Sequence, residues 1–108
     1  MMNIEKIKQL EAANDGQTIH LFYDDMLGVY LAYGLSAYYT TMSVDPIISY
    51  SDALGMPVAL LNRGVIQYLR QSVTKVEHQP QAYYRFRLRT KVGSAGYERW
   101  RKELFPLK

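Results

Sequence analysis

A chain of 108 residues is long enough for one domain, spanning residues 1–108, with a core that needs no staple. It has no cysteine, which excludes disulfides, thiolate zinc sites and cysteine nucleophiles, and its two histidines, His20 and His78, are little material for a metal cluster. The net charge of +3 is unevenly laid out: residues 1–60 carry two basic and seven acidic side chains (−5), and residues 61–108 carry eleven basic and three acidic (+8).

That asymmetry points the second half towards a polyanionic or acidic partner, unless the halves interleave in space and their charges mix. The polar opening MMNIEKIKQL does not read as a secretory signal. No apolar run approaches the ~20 residues of a membrane span. The expectation is a soluble, cytoplasmic protein with no membrane partner.

Residues 3–13 (NIEKIKQLEAA) have the apolar spacing of an amphipathic helix, with Asn3 as cap and Asn14-Asp15-Gly16 as stop. Residues 17–25 read as a strand that is apolar on both faces, as in a central strand covered on two sides. His20 on that strand is either a ligand or acid/base group, or a half-buried strand histidine with a backbone partner. Asp24 and Asp25 point to opposite faces, so they do not converge on one ion; they suit the turn that follows. Residues 28–33 form a second strand, antiparallel to the first because the connection is short.

Gly34 then breaks the alternation, and Ser36 is placed to cap a short helix over 37–42; continued strand is the alternative for 35–42. A turn at Asp45-Pro46 leads into a strand at 47–50, a loop at 51–56 and a buried strand at 57–61. Asn62 caps a helix with Val65, Ile66, Leu69 and Val73 along one face. Arg63 in its first turn opposes the helix dipole, a placement that either a bound anion or plain solvation accounts for.

Residues 74–78 make a short strand, Gln79-Pro80-Gln81 a turn, and 82–90 (AYYRFRLRT) the most regular strand of the chain. Tyr84, Phe86 and Leu88 share one of its faces; Tyr83, Arg85, Arg87 and Arg89 share the other. Such a cationic strip with an aromatic in line, continued by Lys91, suits phosphate contacts with a base stacked on the tyrosine. A solvated face whose arginines lie over carboxylates is the competing reading. Gly93-Ser94 is expected to open a last helix that presents Arg99, Arg101 and Lys102, with Tyr97, Trp100 and Leu104 on its packing side and Pro106 beyond its end. The fold class expected from this order is α/β, with a mixed sheet of five to six strands and helices packed against it.

Within residues 18–78 the run from Met26 to Ala37 aligns without a gap to the pattern M-G-D-F-Y-E-x-F-x-x-D-A. Met26, Tyr30 and Ala37 match it, and Tyr33 stands for an aromatic. Gly55-Met56-Pro57 is similar to a G-V-P segment, Tyr68-Leu69 to a Y-L pair on the next helix, and Val76-Glu77 to the end of the strand after it. With the order strand–strand–helix–strand–helix–strand, this resembles the amino-terminal, mismatch-recognition domain of the DNA mismatch-repair MutS family. The resemblance implies that family's scaffold and a nucleic-acid partner. It does not imply mismatch reading, because Val29 and Leu31 stand where the family has its wedging phenylalanine and base-bonding glutamate.

Two functions follow as expectations. One is a small stand-alone module for DNA or RNA, with Tyr83, Arg85, Arg87, Arg89, Lys91, Arg99, Arg101 and Lys102 as its contacts and Arg63 and Arg70 further out. The other is a protein-interaction or self-association domain that uses some of the ten tyrosines. Asp24, Asp25, Asp45, Asp52, Glu77 and His78 are scattered among turns and strand ends without a catalytic spacing, so neither an enzyme nor a cofactor is expected.

Overall fold

The computed structural model describes residues 3–79 and 82–108. In chain order its elements are α1 (Ile4–Ala12), β1 (Thr18–Asp24), β2 (Val29–Tyr33), α2 (Leu35–Thr40), β3 (Ile47–Ser51), β4 (Met56–Leu61), α3 (Arg63–Arg70), β5 (Val73–Gln79), β6 (Tyr83–Leu88) and α4 (Tyr97–Leu104). The six strands form one sheet in the order β3-β4-β2-β1-β6-β5.

Every pairing in this sheet is antiparallel, which corrects the expected mixed sheet. The reason lies in which strands become neighbours. Both helical crossovers, β2-α2-β3 and β4-α3-β5, join strands that point the same way, as in a parallel unit. Neither pair ends up adjacent, however: β4 inserts between β2 and β3, while β2, β1 and β6 separate β4 from β5.

Alternation along the strands supplies two cores. Ile19 and Leu21 of β1, Ala32 of β2, Ala59 and Leu61 of β4, and Phe86 and Leu88 of β6 pack with Ala37 and Tyr39 of α2 and with Ile66 and Leu69 of α3. On the other face Ile7 of α1 closes over Phe22, Leu54 and Tyr83. The first five residues of β1 are buried, as expected of a strand covered on two sides. Helix α4 lies against α2 and the β3 side: the Trp100 ring is 5.3 Å from that of Tyr38, and Phe105 is 5.1 Å from Tyr50.

Local signals act where they were read. The side-chain oxygens of Asn3 and Asn62 accept from Lys6 N and Val65 N at 2.8 and 2.9 Å, capping α1 and α3. Asp24 Oδ1 accepts from Leu27 N at 3.0 Å and shapes the β1–β2 turn. Two expected caps are corrected. Residues 35–40 are helical, but α2 starts one residue before Ser36, on Gly34, whose φ of 57° suits glycine and where a Cβ would sit 3.1 Å from Met56 Sδ. Helix α4 starts at Tyr97 rather than beside Ser94, whose carbonyl accepts from Tyr97 N in a preceding turn. The expected turn at Gln79-Pro80-Gln81 falls on Pro80 and Gln81, which lie outside the described residues.

Candidate functional site

Helix α1 covers only part of its face of the sheet. Beside it lies an open cleft of about 360 Å³, floored by Thr18, His20, Arg85 and Arg87 and walled by Leu10 and Ala13 of α1, by Asp15, and by Lys75 and Glu77 of β5. The register creates this grouping: His20 pairs with Arg85, Thr18 with Arg87, Lys75 with Arg87 and Glu77 with Arg85. Side chains directly across an antiparallel pair share a face. Four strand positions on three neighbouring strands therefore deliver two guanidiniums, an ammonium and an imidazole to one place.

The cations are not free. Arg87 Nη1 lies 2.6 Å from Asp15 Oδ2, Arg85 is paired with Glu77, and Lys75 Nζ is 3.0 Å from Glu77 Oε1. The hydrogen bond from Arg87 holds the Asp15 carboxyl down at about 2. Bonds from Arg85 and then Lys75 hold Glu77 below the usual carboxylate range. The side chains of Arg87 and Asp15 are 45% and 49% exposed, and such solvated pairs are worth only about 0–1 kcal/mol. An incoming oxyanion therefore has little to displace.

His20 is the buried member of the cleft. Its Nδ1 lies 2.6 Å from the Tyr83 hydroxyl, and its backbone N–H donates to Ser36 Oγ at 2.9 Å. Burial, reinforced by the charge of Arg85, lowers the imidazole to about 4, so it is neutral at physiological pH. Burial raises Tyr83 to about 12, so the phenol keeps its proton. His20 is its hydrogen-bond partner among the described residues, and that contact occupies Nδ1, leaving the other ring nitrogen of His20 for the cleft that the residue lines.

Behind the cleft, Ser36 donates to Glu11 through both Oγ (2.6 Å) and N (3.1 Å), tying α1 to α2 and, through His20, to β1. Burial raises the Glu11 carboxyl to about 7 against the pull of these Ser36 bonds.

The residues expected to contact nucleic acid are dispersed. Arg85 and Arg87 meet in the cleft. Tyr83, expected in line as a stacking platform, is instead buried beneath α1, its ring 5.2 Å from that of Phe22. Arg89 lies beyond the end of β6 and donates to the Gln71 carbonyl at 2.8 Å, and Lys91 reaches towards Gly16. Arg99 pairs with Glu103, Arg101 pairs with Glu98, and Lys102 is exposed beside them. These three sit on α4, which packs against α2, and none of them lines the cleft. Arg70 stacks over Phe86, and Arg63 is exposed at the start of α3.

Lys75, Asp15 and the cleft face of His20 were not among the expected contacts. Alternation along β5, once paired with β6, is the signal that finds Lys75. Val29 and Leu31 are half-buried in β2. Among the described residues no group of three or more His, Cys, Asp or Glu side chains is placed to hold a metal, and no helix is long and apolar enough to cross a membrane. Comparisons with models of known families, with curated proteins and with solved structures found no match.

Proposed function

We propose that this chain is a small, non-enzymatic nucleic-acid-binding module on a MutS amino-terminal-domain-like scaffold, and that it seats backbone phosphate in the cleft between α1 and the β5–β6 pair. The observation that carries this reading is the convergence of Lys75, Arg85, Arg87 and His20 on one solvent-open cleft. Guanidinium forks suit phosphate oxygens, and an imidazole held neutral adds a polar ring nitrogen without adding charge. The acids that hold these cations in place shape the reading as well. Asp15 and Glu77 repel a long polyanion laid flat, so the contact is confined to a few phosphates, and Arg99, Arg101 and Lys102 take no part.

Titration of labelled single- and double-stranded DNA and RNA at two salt concentrations tests this. With at most three cations engaged, the log–log salt slope is expected to be no steeper than about −3. No binding at low salt, or binding unchanged when Arg85 and Arg87 are both replaced by glutamate, would overturn it.

A further inference from the structure

The two outer strands of the sheet differ in how they meet water. β5 carries Lys75 and Glu77, and its pairing is irregular between Val73 and Lys75. Charges and irregularities of this kind discourage further strand pairing. β3, with the sequence IISYS, carries no charge and no proline, and it pairs with β4 without a break over all five residues. Ile47 on it is 72% exposed.

The surroundings are apolar as well. Met42 lies just before the strand, and the Phe105–Tyr50 contact brings the end of α4, with exposed Leu104 and Leu107, alongside it. A regular, uncharged, open edge flanked by exposed aliphatic side chains is a template for another strand.

We infer that the occupant is a second copy of this chain, with β3 pairing antiparallel to β3 of the partner about a two-fold axis near Ser49. Self-complementarity argues for a copy over a foreign strand. An axis perpendicular to the sheet keeps corresponding faces on the same side, so α4 of each copy borders the junction and Leu104 and Leu107 can be covered. Charge agrees. Antiparallel pairing sets Asp45 of one copy beside the 51–53 end of the other, where Lys108 Nζ already lies 2.8 Å from Asp52. Each end of the junction then offers a lysine between two carboxylates, twice by symmetry. The cleft lies towards the opposite edge and stays open.

Sedimentation equilibrium of the full chain without nucleic acid, over a range of concentrations, tests this. The expected result is a reversible monomer–dimer equilibrium. Ile47→Lys and Ser49→Lys, both at exposed positions, are expected to weaken it by roughly 100-fold or more, because a lysine on an outer strand discourages edge pairing and at Ser49, on the axis, it also faces its own copy. Leu107→Glu, beyond the last helix and remote from the core, is expected to weaken it by about 10-fold; it carries the test if circular dichroism shows that either strand variant has lost its fold. A wild-type chain that stays monomeric at all concentrations overturns the inference. So does a dimer that survives the folded variants unchanged.

Discussion

The two ends of the sheet are each built from an antiparallel strand pair and present opposite chemistry. At the β5–β6 end, basic and acidic side chains alternate with core residues, and the paired strands bring Lys75, Arg85 and Arg87 together against Glu77 and Asp15. At the β3–β4 end, the outer strand has neither charge nor irregularity, and aliphatic side chains surround it. The difference shows that the excess of positive charge in the second half of the chain is not one surface. Folding disperses it among the cleft beside α1, the locally paired side chains of α4 and single sites such as Arg70 over Phe86 and Lys108 beside Asp52. The proposed binding role and the proposed association role then fall to different ends, so mutation is expected to separate them.

The largest expected effect is on the charged end. Arg85→Glu with Arg87→Glu is expected to weaken nucleic-acid binding by about 100-fold, since two phosphate contacts become two repulsions, while the sedimentation behaviour stays that of the wild type. Fluorescence anisotropy and sedimentation on the same samples check this. Loss of both properties together would break the separation of the two ends.

Next comes the buried joint behind the cleft. Glu11 titrates near 7 in the folded chain against about 4.5 when unfolded, so the stability it permits is fully present below about 4.5 and is lost as pH rises through 7, by on the order of 3 kcal/mol. His20, lowered from 6.5 to about 4, works the other way: its contribution is present above 6.5 and lost as pH falls through 4. The two offset one another between about pH 4.5 and 6.5. Glu11→Gln is expected to raise stability at pH 8 and to unmask a rise in stability from pH 4 to 6.5, measured by urea unfolding at a series of pH values. A variant whose pH profile matches the wild type would show that Glu11 is not the titrating group.

Asp15→Asn sharpens the comparison from within the cleft. It frees Arg87 and removes a repelling charge, so binding is expected to tighten by a few-fold, at a cost of about 0–1 kcal/mol in stability because the pair is half exposed. It also removes the stability that Asp15 contributes above about pH 4 and that is lost as pH falls through 2. Affinity and acid unfolding measured side by side check both effects. The smallest effect is expected on α4: Arg99→Ala with Lys102→Ala should change affinity by less than about two-fold, because neither side chain lines the cleft.

Much of the fold could be read from the chain alone, and the reasons for success and failure are physical. Asn62 before Val65 and Ile66 and the alternation of Tyr84, Phe86 and Leu88 are local signals, and they produced α3 and β6. Ser36 and Ser94 carry equally good local signals for caps. Ser36 is drawn instead into a buried bond with Glu11, 25 residues away, and that contact leaves no trace in local sequence. The expectation of a mixed sheet fails for the same reason, because insertion of β4 between β2 and β3 depends on contacts across the whole sheet.

The candidate site was half legible. The strip Arg85–Arg87 follows from alternation, but its partners do not: the Arg87–Asp15 pair spans 72 residues and the Tyr83–His20 bond 63. Those two contacts turn an open strip with an exposed tyrosine into a small cleft with a buried one.

The most direct test is a ¹⁵N-resolved NMR titration of the full chain with a short single-stranded oligonucleotide at low salt. The account expects shifts concentrated at His20, Lys75, Glu77, Arg85 and Arg87, with β3 and α4 silent. Shifts centred on α4 or β3, or none at all while the oligonucleotide is in excess, would contradict it.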